Sequence, residues 1–123
     1  MAFADRSDTY HSLFRRLFAA PPRLITTPLV IAEGHGWFLR RYDRTRALQF
    51  LSMTEAMSPL HVASVGADEQ RGSAAMLRRF SDQDLTLADA LGLYLMRDRR
   101  ISRCWSTDFH LGLTGVQLVI NER

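Results

Sequence analysis

The chain has 123 residues, of which 46% are hydrophobic, and its formal net charge is +3. This length supports a single domain over residues 1–123 and is too short for two ordinary ones. No apolar run approaches the roughly 20 residues that cross a bilayer, and the N-terminus, Met-Ala-Phe-Ala-Asp-Arg, lacks the regions of a signal peptide. These features predict a cytoplasmic protein with no membrane partner.

The first half of the chain predicts three helices and one short strand. Thr27 and Pro28 are typical of a helix N-cap and first helical position, and Asp43 can cap the next helix. Pro21 and Pro22 end the first helix, which Asp8 can cap. The predicted elements are a helix over 8–19, a strand over 24–26, a helix over 28–41 and a helix over 43–57.

The second half predicts an alternation of helices with short apolar strands. The predicted elements are a strand over 60–65, helices over 68–80 and 87–96, a strand over 101–106, a turn or short helix from Asp108, and a strand over 116–120. This order indicates an α/β fold with a mostly parallel sheet covered on both faces. Cys104, the single cysteine, is predicted to be a buried structural thiol.

Three acidic residues are candidates for a metal site. Asp108 follows a predicted strand, Asp89 lies in the first turn of a helix, and Glu33 lies early in the helix after the first strand. Ligands of α/β folds collect beyond the carboxyl ends of the strands, so the three side chains can converge there. Carboxylate oxygens suit Mg²⁺ or Mn²⁺, ions that activate water for attack on a phosphodiester.

Helix capping is the competing interpretation for two of these acids. Thr86-x-x-Asp89 matches a capping box, and Asp108 could cap the short helix that follows it. Considered one at a time, the Thr86-x-x-Asp89 pattern and Asp108 each favour helix capping over metal binding. Glu33 differs, because it lies in an apolar helix and its i+4 neighbour is Trp37. The glycines that follow it, at positions 34 and 36, suggest a close backbone approach or a local bend.

The other polar residues give weaker signals. The histidines at positions 11, 35, 61 and 110 stand apart from any serine or cysteine with nucleophile spacing. Neither a glycine-rich phosphate loop nor zinc-ligand spacing occurs. All sixteen basic residues are arginine, whose forked donors suit carboxylates and phosphates. Most of the arginines at positions 40, 41, 97, 99, 100 and 103 are predicted to be solvated side chains at helix ends. One or two of them are predicted to contact RNA phosphate.

Taken in series, three segments resemble the PIN-domain ribonucleases, particularly the VapC-type toxins of toxin/antitoxin pairs. The segments are TTPLVIAEGHGWFLRR, RFSDQDLTLADALGLYLM and WSTDFHLGLTGVQLV. Within them Thr-Pro-x-x-x-Ala-Glu places an acid at Glu33, Leu-Thr-Leu-Ala-Asp-Ala places one at Asp89, and Ser-Thr-Asp-x-His places one at Asp108. The resemblance covers almost the whole chain in the expected order.

The resemblance implies a PIN-like α/β/α sandwich with a mostly parallel sheet and a metal-dependent endoribonuclease. It assigns Glu33, Asp89 and Asp108 as catalytic residues that bind Mg²⁺ or Mn²⁺. It implies an RNA substrate, a cognate antitoxin that covers the acidic pocket, and a homodimer. The alternative is a non-catalytic PIN-like domain that binds RNA or an antitoxin.

The chain departs from the family pattern at its N-terminus, where the family has an apolar strand that ends in aspartate. Asp5 and Asp8 match the polar turn and helix cap that follow this strand and do not replace its acid. The departure predicts an N-terminally truncated domain with impaired activity. This departure has two explanations. The start of the protein has been assigned too late and Met1 is an internal methionine, which we prefer, or the chain is a truncated derivative. In the preferred case the upstream DNA encodes, in frame, a short apolar strand with a terminal aspartate.

Overall fold

In the computed structural model, helices alternate with short strands through the described residues, which are 11–20, 23–104, 109–115 and 117–118. The elements are α1 (His11–Ala19), β1 (Leu24–Thr26), α2 (Pro28–Arg41), α3 (Arg44–Ala56), β2 (Leu60–Val62), α4 (Ala67–Arg79), α5 (Leu87–Asp98), β3 (Arg103–Cys104), the 3-10 helix η1 (Phe109–Gly112) and β4 (Gln117–Leu118). They fall into two compact units, Met1–Ser64 and Val65–Arg123.

In the first unit β1 and β2 form a parallel pair. Leu24 lies opposite Leu60 and Thr26 opposite Val62. The amide of Ala63 donates to the carbonyl of Thr26 at 2.9 Å and closes the ladder. Parallel strands require a long crossover, and α2 and α3 supply it. The strand predicted over 60–65 therefore exists, but it ends at Val62.

Two capped helices form that crossover and pack against each other. The hydroxyl of Thr27 accepts the Val30 amide at 3.2 Å, and the carboxylate of Asp43 accepts the Arg46 amide at 2.8 Å. Both predicted helix starts are thus confirmed. The rings of Phe38 and Phe50 stack with their centroids 5.2 Å apart. This aromatic contact joins α2 to α3.

The second unit is built around α4 and α5. A buried cluster forms its core, and the cluster consists of Met76, Ala90, Leu93 and Met96. Arg103 and Cys104 of β3 pair in parallel with Gln117 and Leu118 of β4, and η1 lies between the two strands in sequence. Cys104 is half-buried rather than fully buried, and it packs against the core cluster, which fits the predicted structural role.

Helices and parallel strand pairs confirm the predicted α/β class. Among the described residues, β3 and β4 each cover two residues of the longer strands predicted at 101–106 and 116–120. The predicted cap at Asp8 lies outside the described ranges. No helix in those ranges has both the length and the apolar composition that a membrane crossing requires.

Candidate active site

Glu33 is held by a helix whose position is fixed through the residue that follows it. The side chain of Glu33 is exposed in the second turn of α2, whereas Gly34 is buried against α3. A Cβ atom at position 34 would lie 2.4 Å from Cζ of Phe50, far inside van der Waals contact. Gly34 therefore lets α2 approach Phe50 closely, and this contact sets the position of the backbone that carries Glu33.

The close approach predicted beside Glu33 is confirmed at Gly34 and wrong at Gly36. A Cβ at position 36 would meet only the end of the flexible Arg40 side chain, with Nη1 at 3.1 Å. The helix is continuous from Pro28 to Arg41. Sequence reasoning missed Phe50, the ring that lies against Gly34.

Asp89 forms the capping box that the sequence predicted. The hydroxyl of Thr86 accepts the Asp89 amide at 3.1 Å, and Oδ2 of Asp89 accepts the Thr86 amide at 3.2 Å. Two amides that the first turn of a helix leaves without partners are thereby satisfied. The capping interpretation is therefore confirmed for this residue.

Capping occupies only part of the Asp89 carboxylate. The side chain is half-buried, and Oδ1 makes no hydrogen bond to any residue in the described ranges. Ala88 and Ala90 on either side are buried, which fixes this turn of α5 and the direction of the carboxylate. The positive end of the helix dipole also stabilises negative charge here. Asp89 can thus cap the helix through Oδ2 and offer Oδ1 to a cation.

The third predicted site residue, Asp108, lies outside the described residues, so neither its capping nor its metal role is tested. Glu33 belongs to the first compact unit and Asp89 to the second. Within the described ranges, no three His, Cys, Asp or Glu side chains form a group that could hold a metal ion. The donor chemistry of the three acids still suits Mg²⁺ or Mn²⁺, because every donor is a carboxylate oxygen.

The fold that carries these acids is that of the VapC-type PIN-domain toxins, as a solved structure shows. That structure is the crystal structure of Mycobacterium tuberculosis VapC20, a toxin that cleaves the sarcin-ricin loop. The two chains share 23% identity and a TM-score of 0.83, over 94% of this chain and 88% of VapC20. No protein-family model and no curated protein matches the sequence.

The likeness confirms the predicted resemblance at the level of fold. It was inferred from three motifs spread along the chain, and the structural match extends over nearly the same span. At this sequence identity the match establishes the architecture.

Proposed function

We propose that this protein is a metal-dependent endoribonuclease of the VapC type that hydrolyses RNA phosphodiesters. The observation that carries the proposal is the coincidence of a VapC-like fold with acids at Glu33, Asp89 and Asp108, in the order of the family motifs. VapC20, which has this fold, is itself a toxin that cleaves the sarcin-ricin loop. The remaining expectations, namely one domain over residues 1–123, a cytoplasmic location, an antitoxin partner and a homodimer, belong to the same proposal.

In the proposed mechanism Glu33, Asp89 and Asp108 hold Mg²⁺ or Mn²⁺. A bound ion of this kind supplies a more acidic water and compensates charge on the phosphate. The protein contributes the direction of its carboxylates. Asp89 is oriented in advance because its Oδ2 is held by the Thr86 amide, and Gly34 fixes the helix turn next to Glu33. Such prior orientation lowers the cost of assembling the ligands around the ion.

The decisive experiment separates the charge of Asp89 from its cap. Asp89→Asn keeps an oxygen that can accept the Thr86 amide, whereas Asp89→Ala removes it. We expect the free energy of unfolding of Asp89→Asn to lie within about 0.5 kcal/mol of the parent value, and that of Asp89→Ala to fall by about 0.5–2 kcal/mol. Both variants are expected to lose cleavage of a labelled RNA in Mg²⁺ or Mn²⁺.

The controls of this experiment are the parent in EDTA and Asp43→Asn, a cap change in α3 that lies outside the proposed ligand set. Cleavage by the parent that EDTA does not stop would argue against a metal-dependent reaction. An Asp89→Asn variant that cuts as fast as its parent would contradict the assignment of Asp89.

The alternative function is a non-catalytic PIN-like domain that binds RNA or an antitoxin. One observation favours it: Asp89 has a structural role in the capping box of α5. Binding of RNA without cleavage by the parent, in either metal and with excess protein, would support this alternative.

A further inference from the structure

A groove with a basic rim lies in the second unit, away from Asp89. Its volume is about 460 Å³. One side is a stripe of α4 at i, i+3, i+4 and i+7 spacing, and the other is formed by the last two turns of α5 and the residue beyond its cap. The lining residues are Gly72, Ala75, Met76, Arg79, Tyr94, Arg97, Asp98 and Arg100. We call this the basic groove.

Within the described ranges no carboxylate pairs with the arginines of the basic groove, although the guanidinium of Arg79 lies 5.0 Å from the centre of the Phe80 ring. Arg79, Arg97 and Arg100 are exposed, and none of them forms an ion pair with a residue in the described ranges. Asp98 is the acid among the lining residues, so the rim carries a net charge of about +2 from three arginines and one aspartate. Exposed guanidinium groups in a concave site favour an anionic ligand.

The helix dipole explains why arginines occur at positions 79 and 97, but it does not explain the arginine at position 100. Basic residues in the last turn interact favourably with the helix dipole, and Arg79 and Arg97 are in that position. Arg100 lies beyond the C-cap of α5 with φ of +55°, the left-handed conformation in which glycine is usual. The Ile101 amide donates to Met96 at 2.7 Å and the Arg100 amide to Arg97 at 3.3 Å, which completes a Schellman motif.

An arginine at this position costs free energy that glycine would avoid. The backbone of the motif needs no side chain at position 100, whereas the side chain of Arg100 lines the basic groove. Backbone strain of this kind is a recognised mark of functional positions. The arginine therefore points to a ligand for its guanidinium group.

The basic groove is a different place from the proposed ligand Asp89. Asp89 lies in the first turn of α5, and Arg97 is eight residues later in the same helix. At about 1.5 Å per residue the two positions are roughly 12 Å apart along the helix axis. A polymer that reaches both ends of α5 would touch the groove and Asp89 together.

The lining favours a phosphate backbone over an acidic polypeptide. Protein interfaces depend on large apolar anchors. None of the exposed large hydrophobic side chains in the described residues lines this groove, Met76 is buried, and the Tyr94 ring packs over Gly72. Guanidinium groups pair with phosphate oxygens in bidentate fashion without apolar support.

We infer that the basic groove binds the phosphate backbone of RNA, with Arg100 and Arg97 as phosphate-contacting residues remote from Asp89. This inference rests on the proposed function for its choice of RNA. Of the six arginines that the sequence offered as phosphate contacts, the inference selects Arg97 and Arg100. Arg79, which sequence reasoning missed, lines the same groove.

The test is binding of a short fluorescent single-stranded RNA, measured by anisotropy in EDTA across a range of salt concentrations. Arg100→Gly is expected to bind roughly three- to tenfold more weakly and to reduce the salt slope by about 0.7, the value for one lost single-strand phosphate contact. The same variant is expected to melt about 2–5 °C higher, because glycine relieves the backbone. Arg97→Gln is expected to weaken binding similarly without this gain in stability.

The matched control is Arg78→Ala. Arg78 is exposed at the same end of α4 but lines a different depression, and its loss removes the same charge. Equal weakening by the Arg78 and Arg100 variants, or an Arg100→Gly slope identical to that of the parent, would overturn the inference. It would also be overturned if poly-glutamate bound as tightly as RNA and lost as much affinity in Arg100→Gly, since the groove would then prefer acidic polypeptides.

Failure of the proposed function is distinguishable from failure of this inference. Glu33→Gln and Asp89→Asn test cleavage, and they are expected to leave the salt slope in EDTA unchanged. A groove that binds RNA in a protein that cuts nothing would support the groove and the non-catalytic alternative together.

Discussion

At the scale of single residues, the two glycines of α2 have opposite roles although they are two positions apart. Gly34 faces the ring of Phe50, which is itself buried and stacked on Phe38. Gly36 faces the end of the Arg40 side chain. The space around the missing Cβ atom decides whether alanine would destabilise the protein at each site.

We therefore predict opposite signs for two alanine substitutions. Gly34→Ala is expected to destabilise the protein by about 1–3 kcal/mol, because the stacked Phe50 ring cannot move aside without disturbing its neighbours. Gly36→Ala is expected to be neutral or to stabilise by up to about 1 kcal/mol, because Arg40 can move and alanine is the better helix former. Urea unfolding of both variants beside the parent tests this, and equal free energies of unfolding would contradict the packing argument.

Residue-scale geometry also explains why the acids were hard to assign from sequence. Thr86-x-x-Asp89 is a capping box and at the same time part of a family motif, so one pattern supports two roles. The structure confirms the cap and leaves Oδ1 of Asp89 without a hydrogen bond in the described ranges. A carboxylate with two oxygens can serve both roles, and a sequence pattern cannot show how the two oxygens are divided.

At the scale of elements, helix boundaries were predictable because their signals are local. Thr27 and Asp43 mark helix starts by accepting amides three residues away, and Pro28 is the first residue of α2, each as predicted. Strand ends are not local in this sense. β1 stops at Thr26 because Thr27 begins the cap of α2, so the paired register of β2 ends at Val62 and the Ala63 amide makes the last bond of the ladder. The predicted strand over 60–65 was too long because its length depends on a distant partner.

The packing of α4 on α5 carries a prediction of its own. A Cβ atom at Gly72 of α4 would lie 2.3 Å from Cε2 of Tyr94, whose ring packs against the core of the second unit. Gly72→Ala is expected to cost about 1–3 kcal/mol, since the ring has to shift within packed surroundings. The matched control is Gly92→Ala in α5, where the new Cβ would meet Leu111 Cδ2 at an ordinary 3.4 Å. This control is expected to be neutral or stabilising.

Thermal or urea unfolding distinguishes these two variants. If both variants lost stability, glycine would be needed at both positions, and the contact with Tyr94 would not be the cause of the loss in Gly72→Ala. Loss in Gly72→Ala alone would support the close contact of Gly72 with the Tyr94 ring, and both residues line the basic groove.

At the scale of the whole molecule, the fold and the proposed function are supported by different kinds of observation. The fold was predictable because three motifs, each short, occur in the right order along 123 residues, and a solved VapC structure matches 94% of the chain. The proposed metal site would be a joint property of acids that are far apart in sequence, including Asp108 outside the described ranges. Its assembly depends on tertiary geometry that no local pattern encodes.

Metal binding gives a whole-molecule prediction that is independent of catalysis. An ion that binds only the folded protein stabilises it by about 2.7 kcal/mol when its concentration is about 100 times the dissociation constant. We therefore expect Mn²⁺ or Mg²⁺ to raise the melting temperature of the parent in a concentration-dependent way. Asp89→Asn is expected to lose most of this increase while it melts near the parent temperature in EDTA, because the amide keeps the cap and removes the charge.

Asp84→Asn is the matched control for this metal titration. Asp84 is exposed in the loop before α5 and is not one of the proposed ligands, yet its substitution removes the same charge close to Asp89 in sequence. If both variants lose the metal-dependent increase equally, the ion responds to the general negative charge of this loop. If neither loses it, Asp89 does not hold the ion and its role is the capping of α5.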